Sequence, residues 1–302
     1  MAPGTETRPS DWRTEKGRRA YLEAYDSAME LWPVPYRSRH VETRFGDTHV
    51  LESGPDDGEP LVLLHAATGF ASTQWYPNIA ALAGARPVYA IDYIGSAGKG
   101  VQTKPMFCRH DCRDWLLDVL DGLGLRSPIV VGSSQGGWLA LNLSLQAPER
   151  VHRLALLAPA ASILPFRRLM RLMISAGPYM PAWTGPPSVK AMFGGRAVVD
   201  RRIVDLLTLH LAHFRYQERA PFPSAFSAGE LRQLEVKTLL LIGDHEMIYD
   251  PKAALARARA AIPDVQAELV SNSGHLINME HPGLTNDRLL AFADAGSQAD
   301  RL

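Results

Sequence analysis

The run Pro128-Ile-Val-Val-Gly-Ser-Ser-Gln-Gly-Gly sets the pattern G-x-S-x-G, Gly132 to Gly136, directly behind a short β-branched stretch. A strand that turns so sharply into a helix strains its central residue, and only very small neighbours two positions away let the chain close on itself. Here both are glycine. Ser134 is therefore predicted to hold its hydroxyl above the end of a strand, where it could act as a nucleophile. A serine hydroxyl attacks poorly until a base removes its proton, so a histidine oriented by a carboxylate is expected elsewhere. A bare G-x-S-x-G also occurs in Ser/Gly loops that merely start a helix, so its surroundings decide its meaning.

The elements needed to position such a serine can be read on both sides of it. Apolar runs of strand length lie at Leu61–His65, Pro87–Asp92, Ile129–Val131, Leu154–Leu157, Thr238–Ile242 and Ala267–Val270. Continuous runs of this kind predict parallel strands covered on both faces. Helical patterns at Asp114–Leu123, Gly137–Leu145, Ala253–Ala261 and Leu284–Ala293 lie between several of these runs and after the last. Such alternation predicts an α/β fold with a mostly parallel, doubly wound sheet. Upstream, a helix is expected to start at an N-cap Ser10 and stop before Pro33. His40–Phe45 and Thr48–Glu52, broken by Gly46-Asp47, read as a hairpin.

The alternation stops between Pro159 and Val236, where a glycine- and proline-rich patch precedes a long helical pattern at Ala197–Tyr216 and no strand signal occurs. That position suits a helical cap over residues 159–236, inserted between a first core part, 1–158, and a second, 237–302. Arg167, Arg168 and Arg171 read as a solvated helix face. Met170 and Met173, with Leu206, Leu207 and Leu211, are candidates either for an adaptable acyl pocket or for ordinary cap packing.

Thirty-two basic against 32 acidic side chains leave no net charge, which gives no reason to expect nucleic acid or an anionic membrane as partner. No apolar run approaches the roughly 18 residues of a membrane span, and Met1-Ala-Pro-Gly-Thr-Glu-Thr has no hydrophobic leader character. A cytoplasmic protein acting on a small molecule is expected, with a homodimer left open. Cys108 and Cys112, with His110 between them, lack further ligands, as do His210 and His213, so neither metal nor other cofactor is expected.

In α/β-hydrolases, whose nucleophile occupies this strand–turn–helix setting, the partners follow in the order serine, acid, histidine. His275, in Ser273-Gly-His just past the last strand, is the candidate base; His281 reads as the start of the final helix. The acid must lie in Gly243-Asp-His-Glu-Met-Ile-Tyr-Asp-Pro. Asp250 has the marks of an N-cap before a helix-starting proline, and Asp244 would be used by the turn. Glu246 is the first candidate and Asp244 the second. For the oxyanion, the amide of Gln135 is expected from the helix start, and that of Ala67 from the loop His65-Ala-Ala-Thr-Gly-Phe. Phe70 and Trp75 are candidates for shaping an acyl pocket or for the core.

Beyond these motifs the chain resembles bacterial carboxylesterases of the naproxen-ester type, within the α/β-hydrolase superfamily. The similar stretches are Leu31-Trp-Pro-Val, Thr43-Arg-Phe-Gly, Thr48-His-Val, Trp75-Tyr-Pro-Asn-Ile-Ala, Trp115-Leu-Leu-Asp-Val, Leu164-Pro-Phe and His245-Glu-Met-Ile-Tyr-Asp-Pro. The resemblance covers nearly the whole chain and weakens through the cap. It implies a glutamate as the acid, which supports Glu246, and matches Ser134 and His275 to the other two triad positions. The chain departs from the usual pattern in having His65-Ala66 where His-Gly is common. The resemblance thus implies hydrolysis of carboxylic esters. Opening of thioesters or lactones, C–C bond hydrolysis or acyl transfer would use the same triad, and a non-catalytic ligand receptor on this scaffold is a third reading.

Overall fold

Each apolar run forms a strand. The inner five are buried because alternate side chains find a hydrophobic layer on either side of the sheet, whereas the run at Ala267–Val270 forms an edge strand, which is largely half-buried rather than covered on both faces. The computed structural model describes residues 10–67, 71–96, 98–168, 170–171 and 199–295. Along the chain the first elements are β1 (Asp11–Trp12), α1 (Glu15–Met29), β2 (Arg37–Thr43), β3 (Gly46–Ser53), β4 (Leu61–Leu64), α2 (Ile79–Ala85), β5 (Val88–Ile91) and β6 (Val101–Gln102). Then come α3 (Arg109–Leu123), β7 (Ile129–Ser133), α4 (Gln135–Gln146), β8 (Arg153–Leu157), α5 (Arg201–His213), β9 (Phe214–Arg215) and α6 (Ala228–Arg232). β10 (Thr238–Gly243), α7 (Pro251–Ala261), β11 (Val265–Val270), α8 (Ile277–Glu280) and α9 (Pro282–Asp294) complete the described part.

The main sheet runs β11-β10-β8-β7-β4-β5-β3-β2, with β6 also paired to β3. From β11 to β5 all neighbours are parallel; β3 joins β5, and β2 joins β3, antiparallel. Val62, Leu64, Val130, Leu154, Leu156, Leu240 and Ile242 enter one layer, with α3, α4 and α7. Leu61, Leu63, Val131, Ala155, Leu157, Leu239 and Leu241 enter the other, with α1, α2, α5 and α9. A leucine or valine so buried contributes roughly 1.5–3 kcal/mol relative to exposure, so the two layers fix the register of every central strand.

Several expectations are corrected at the edges of these elements. Thr14, not Ser10, caps α1 by accepting from the Gly17 amide at 3.0 Å. Ser10 instead accepts from Gln217 N at 2.9 Å and donates its own amide to Gln102 Oε1. The hairpin forms, but it turns at Arg44-Phe45, since Thr43 pairs with Gly46 and Glu42 with Asp47. Gly46 belongs to β3, at φ 135° and tight against the Val101 carbonyl, a place with no room for a side chain. Of the helical pattern read over Ala197–Tyr216, the described residues from 199 onward form the helix Arg201–His213, which gives way to β9, paired with β1. Two-residue strands such as these carry no alternation to read. Leu206 and Leu207 are buried beside Tyr21 and Tyr25, while Leu211 is exposed, so this stretch of α5 packs on the core rather than lining a pocket.

Candidate active site

Ser134 sits between β7 and α4 with φ 51° and ψ −113°, a left-handed conformation costly for any side chain but glycine. Its surroundings enforce it. A Cβ on Gly132 would lie 2.3 Å from the Gly136 carbonyl oxygen, and one on Gly136 would lie 2.2 Å from that of Leu64. The Ser134 amide donates to Leu157 O at 2.9 Å, its carbonyl accepts from Ala160 N at 2.9 Å, and Gly136 N donates to His65 O at 3.1 Å. The elbow is thus clamped to the ends of β4 and β8, the strands flanking β7.

At the other end of the site, β10 closes on the loop that follows β11. A Cβ on Gly243 would stand 2.2 Å from the Gly274 carbonyl oxygen, and the His245 amide donates to Ser273 O at 2.9 Å. Through this contact Glu246 and His275 meet, with His275 Nδ1 2.6 Å from Glu246 Oε2. Across the ring, His275 Nε2 is 2.8 Å from Ser134 Oγ. Glu246 Oε1 accepts from the Ile248 amide at 2.8 Å, which aims the carboxylate. Ser134, Glu246 and His275 are all buried. A carboxylate on Nδ1 fixes the tautomer that leaves Nε2 a base toward the hydroxyl.

The other carboxylates of this loop have turn and cap work. Asp244 Oδ1 accepts from Ser273 N at 3.2 Å and meets His245 Nδ1 at 2.6 Å. Burial acts to raise the Asp244 carboxyl, but bonds from the Asn272 and Ser273 amides, with His245 beside it, hold it below its ordinary range. Asp250 caps α7 by accepting from Ala253 N at 2.8 Å. His281 stands at the start of α9 and bonds the Asn272 carbonyl.

Gln135 opens α4, where helix amides have no acceptor within the helix. Ala67 follows a tightly held residue: the Ala66 carbonyl is bonded by His65 Nδ1 at 2.6 Å and its amide donates to Gln74 Oε1 at 2.6 Å. His65 Nε2 accepts from the Tyr93 amide at 3.0 Å, and burial lowers the His65 pKa, in keeping with a neutral ring. Ala66 does not need a positive φ, so alanine stands where His-Gly is usual without left-handed strain. Gln74 was not anticipated. Fully buried, it also donates to Ser133 Oγ at 2.9 Å and Asn278 Oδ1 at 3.0 Å, tying the loop after β4 to the elbow and to α8. A glutamine inside a polar stretch, Ser72-Thr-Gln, carries no signal of this role in sequence.

Trp75 is corrected. It lies on the short turn Ala71–Trp75, wholly buried in the layer shared with α1 and α2, where it packs rather than lines a pocket. Met170 is half-buried, on a stretch anchored by Arg167 N donating to Ile248 O, 2.8 Å, beside the acid loop. Phe70 and Met173 lie outside the described residues. Cys108 heads α3 in a capping arrangement with Asp111, and Cys112 is buried. His210 packs in the α5 layer with Nε2 2.8 Å from the phenol oxygen Oη of Tyr216. Among the described residues, no group of three or more His, Cys, Asp or Glu is placed to hold a metal ion, and no helix is long and apolar enough to cross a membrane.

Residues 61–288 match the alpha/beta hydrolase family. The chain is 38% identical over 291 residues to a protein of Bacillus subtilis (strain 168) described as the uncharacterized carboxylesterase nap, covering 93% of this chain and 94% of that one. It is 35% identical over 297 residues to carboxylesterase YbfK of the same organism, covering 93% and 96%. The crystal structure of naproxen esterase (carboxylesterase NP) from Bacillus subtilis matches with a TM-score of 0.86 at 37% identity, over 93% of this chain and 99% of that one. With this likeness running along nearly its whole length, the chain belongs to the alpha/beta hydrolase family.

Proposed function

We propose that this protein hydrolyses carboxylic esters of small molecules through an acyl-enzyme on Ser134. The observation that carries the reading is the unbroken line of Ser134 Oγ, His275 and Glu246 at 2.8 and 2.6 Å on a strained elbow. His275 Nε2 takes the hydroxyl proton as Oγ bonds to the ester carbonyl carbon, and Glu246 stabilises the imidazolium. The amides of Gln135 and Ala67 receive the oxyanion. Collapse breaks the bond to the alcohol, which leaves with the proton from His275. Water, deprotonated by the same histidine, then releases the acid. The insertion over residues 159–236 serves as the cap, anchored on the core through α5, and Met170 favours uncharged acyl or aryl-substituted acyl groups. Its carboxylesterase relatives support the substrate class.

The test is a fluorophosphonate probe with peptide mapping, together with rates on nitrophenyl esters, thioesters and lactones of matched size. The adduct is expected on Ser134, and Ser134→Ala should lower ester kcat by several powers of ten while leaving the fold intact. An unlabelled Ser134 would overturn the nucleophile. If thioesters or lactones exceed every simple ester by more than about a hundredfold in kcat/KM, roughly 2.7 kcal/mol of transition-state preference, the simple-ester reading gives way to the biosynthetic one.

A further inference from the structure

Ser38 repeats, at the edge of the sheet, the arrangement found around Ser134. On the antiparallel pair β2–β3, His40 faces His49 directly, which makes Ser38 the diagonal neighbour of His49 on the same face. Ser38 is exposed, and its Oγ lies 2.7 Å from His49 Nε2. His49 Nδ1 lies 2.8 Å from Asp92 Oδ2, just past the end of β5. His49 and Asp92 are wholly buried. Asp92 is fixed from several sides: Oδ1 accepts from the amide and the hydroxyl of Ser72, both at 2.7 Å, and Oδ2 from Tyr25 at 3.3 Å and the Lys99 amide at 3.2 Å. Burial pushes the Asp92 carboxyl up, but His49 beside it and the bonds from His49 and Ser72 outweigh burial and keep it below the usual carboxylate range. An ionised carboxylate on Nδ1 selects the tautomer whose Nε2 can accept the Ser38 proton.

From this geometry we propose that Ser38 is a second nucleophile, which accepts acyl or phosphonyl groups from activated esters and so is a modification site. The Ser38 Oγ bonds to the carbonyl carbon while its proton passes to His49 Nε2. The tetrahedral adduct collapses with loss of the phenolate, which takes up the proton from His49, leaving a phenol and an ester on Ser38. With a fluorophosphonate, Oγ bonds to phosphorus as the P–F bond breaks, and fluoride leaves with the proton from His49. Ser38 stands on an open edge strand, away from the helix start and loop that face Ser134, so the ester persists and the modification is stoichiometric. A hydroxyl that only tied down the edge strand would need no carboxylate behind its histidine.

The experiment uses full-length Ser134→Ala protein, which removes the elbow nucleophile, treated with excess nitrophenyl acetate and, in parallel, with a fluorophosphonate. Peptide mapping then compares Ser38 with Ser224, another exposed serine. General-base assistance predicts about a hundredfold or more faster modification of Ser38 than of Ser224. The adduct should vanish in Ser134→Ala/Ser38→Ala and slow by a similar factor in Ser134→Ala/His49→Gln, if circular dichroism shows that variant folded. Ser38 modified no faster than Ser224, or not at all, overturns the proposal. So does modification that continues unchanged in a folded His49→Gln variant.

Discussion

Within the acid loop, position decides between three carboxylates of similar chemistry. Asp244 is held by the Ser273 amide and Asp250 by the first turn of α7, which leaves Glu246 to reach His275. Glu246→Gln is expected to lower kcat on nitrophenyl esters on the order of a thousandfold or more, because an amide neither enforces the tautomer nor stabilises the imidazolium. Asp250→Asn should stay near wild type, since asparagine caps equally well, and Asp244→Asn should lose far less than Glu246→Gln. Equal damage from Asp244→Asn would move the acid. That Ser134 and His275 would meet was legible in the sequence because each lies in a short pattern tied to a strand end; their proposed roles rest on the probe and the variants. Glu246 needed the family resemblance as well, since spacing alone left two carboxylates open.

Elements were legible where burial is two-sided. The central strands announced themselves as apolar runs, whereas β1, β6 and β9 are pairs of residues fixed by tertiary neighbours, and the hairpin turn moved two residues because Gly46 is needed inside β3. The link between elements was not legible at all. Gln74 joins the loop after β4, the last residue of β7 and α8 through buried hydrogen bonds. Gln74→Met, close in size, leaves the Ala66 amide and Ser133 hydroxyl without their partner, each costing about 1–3 kcal/mol. Thermal unfolding should shift down, and kcat measured well below the new midpoint should fall tenfold or more with KM little changed. Intact kcat beside a lowered midpoint would reduce Gln74 to a purely structural tie.

At the scale of the whole molecule, acid tolerance is set by histidines folded away from water. Burial lowers His210 from 6.5 to about 3 and also lowers His65. Both are neutral in the folded protein, whereas the unfolded chain takes up protons near the ordinary histidine pKa. Stability is therefore complete above that pKa and falls as pH drops toward the folded value, by about 1.4 kcal/mol per pH unit for each such group. Urea midpoints are expected to fall between about pH 7 and pH 5, and His210→Phe should flatten that slope whatever its absolute stability. An unchanged slope would place the acid sensitivity elsewhere.

The closing of β10 on the loop after β11 also sets a timetable. Ser134 and His275, the proposed nucleophile and base, are 141 residues apart in sequence, and His275 and the proposed acid Glu246 are 29 apart. Because β10 adds to β8 and β11 to β10, the acid and the base arrive with the strands at one end of the sheet. At ribosomal speeds of about 5–20 residues per second, a nascent chain carries its elbow serine for roughly 7–28 s before the base is even synthesised. Through that interval Ser134 is an ordinary alcohol on the proposed mechanism, so a half-made chain neither turns over esters nor is poisoned by acylating agents at that serine.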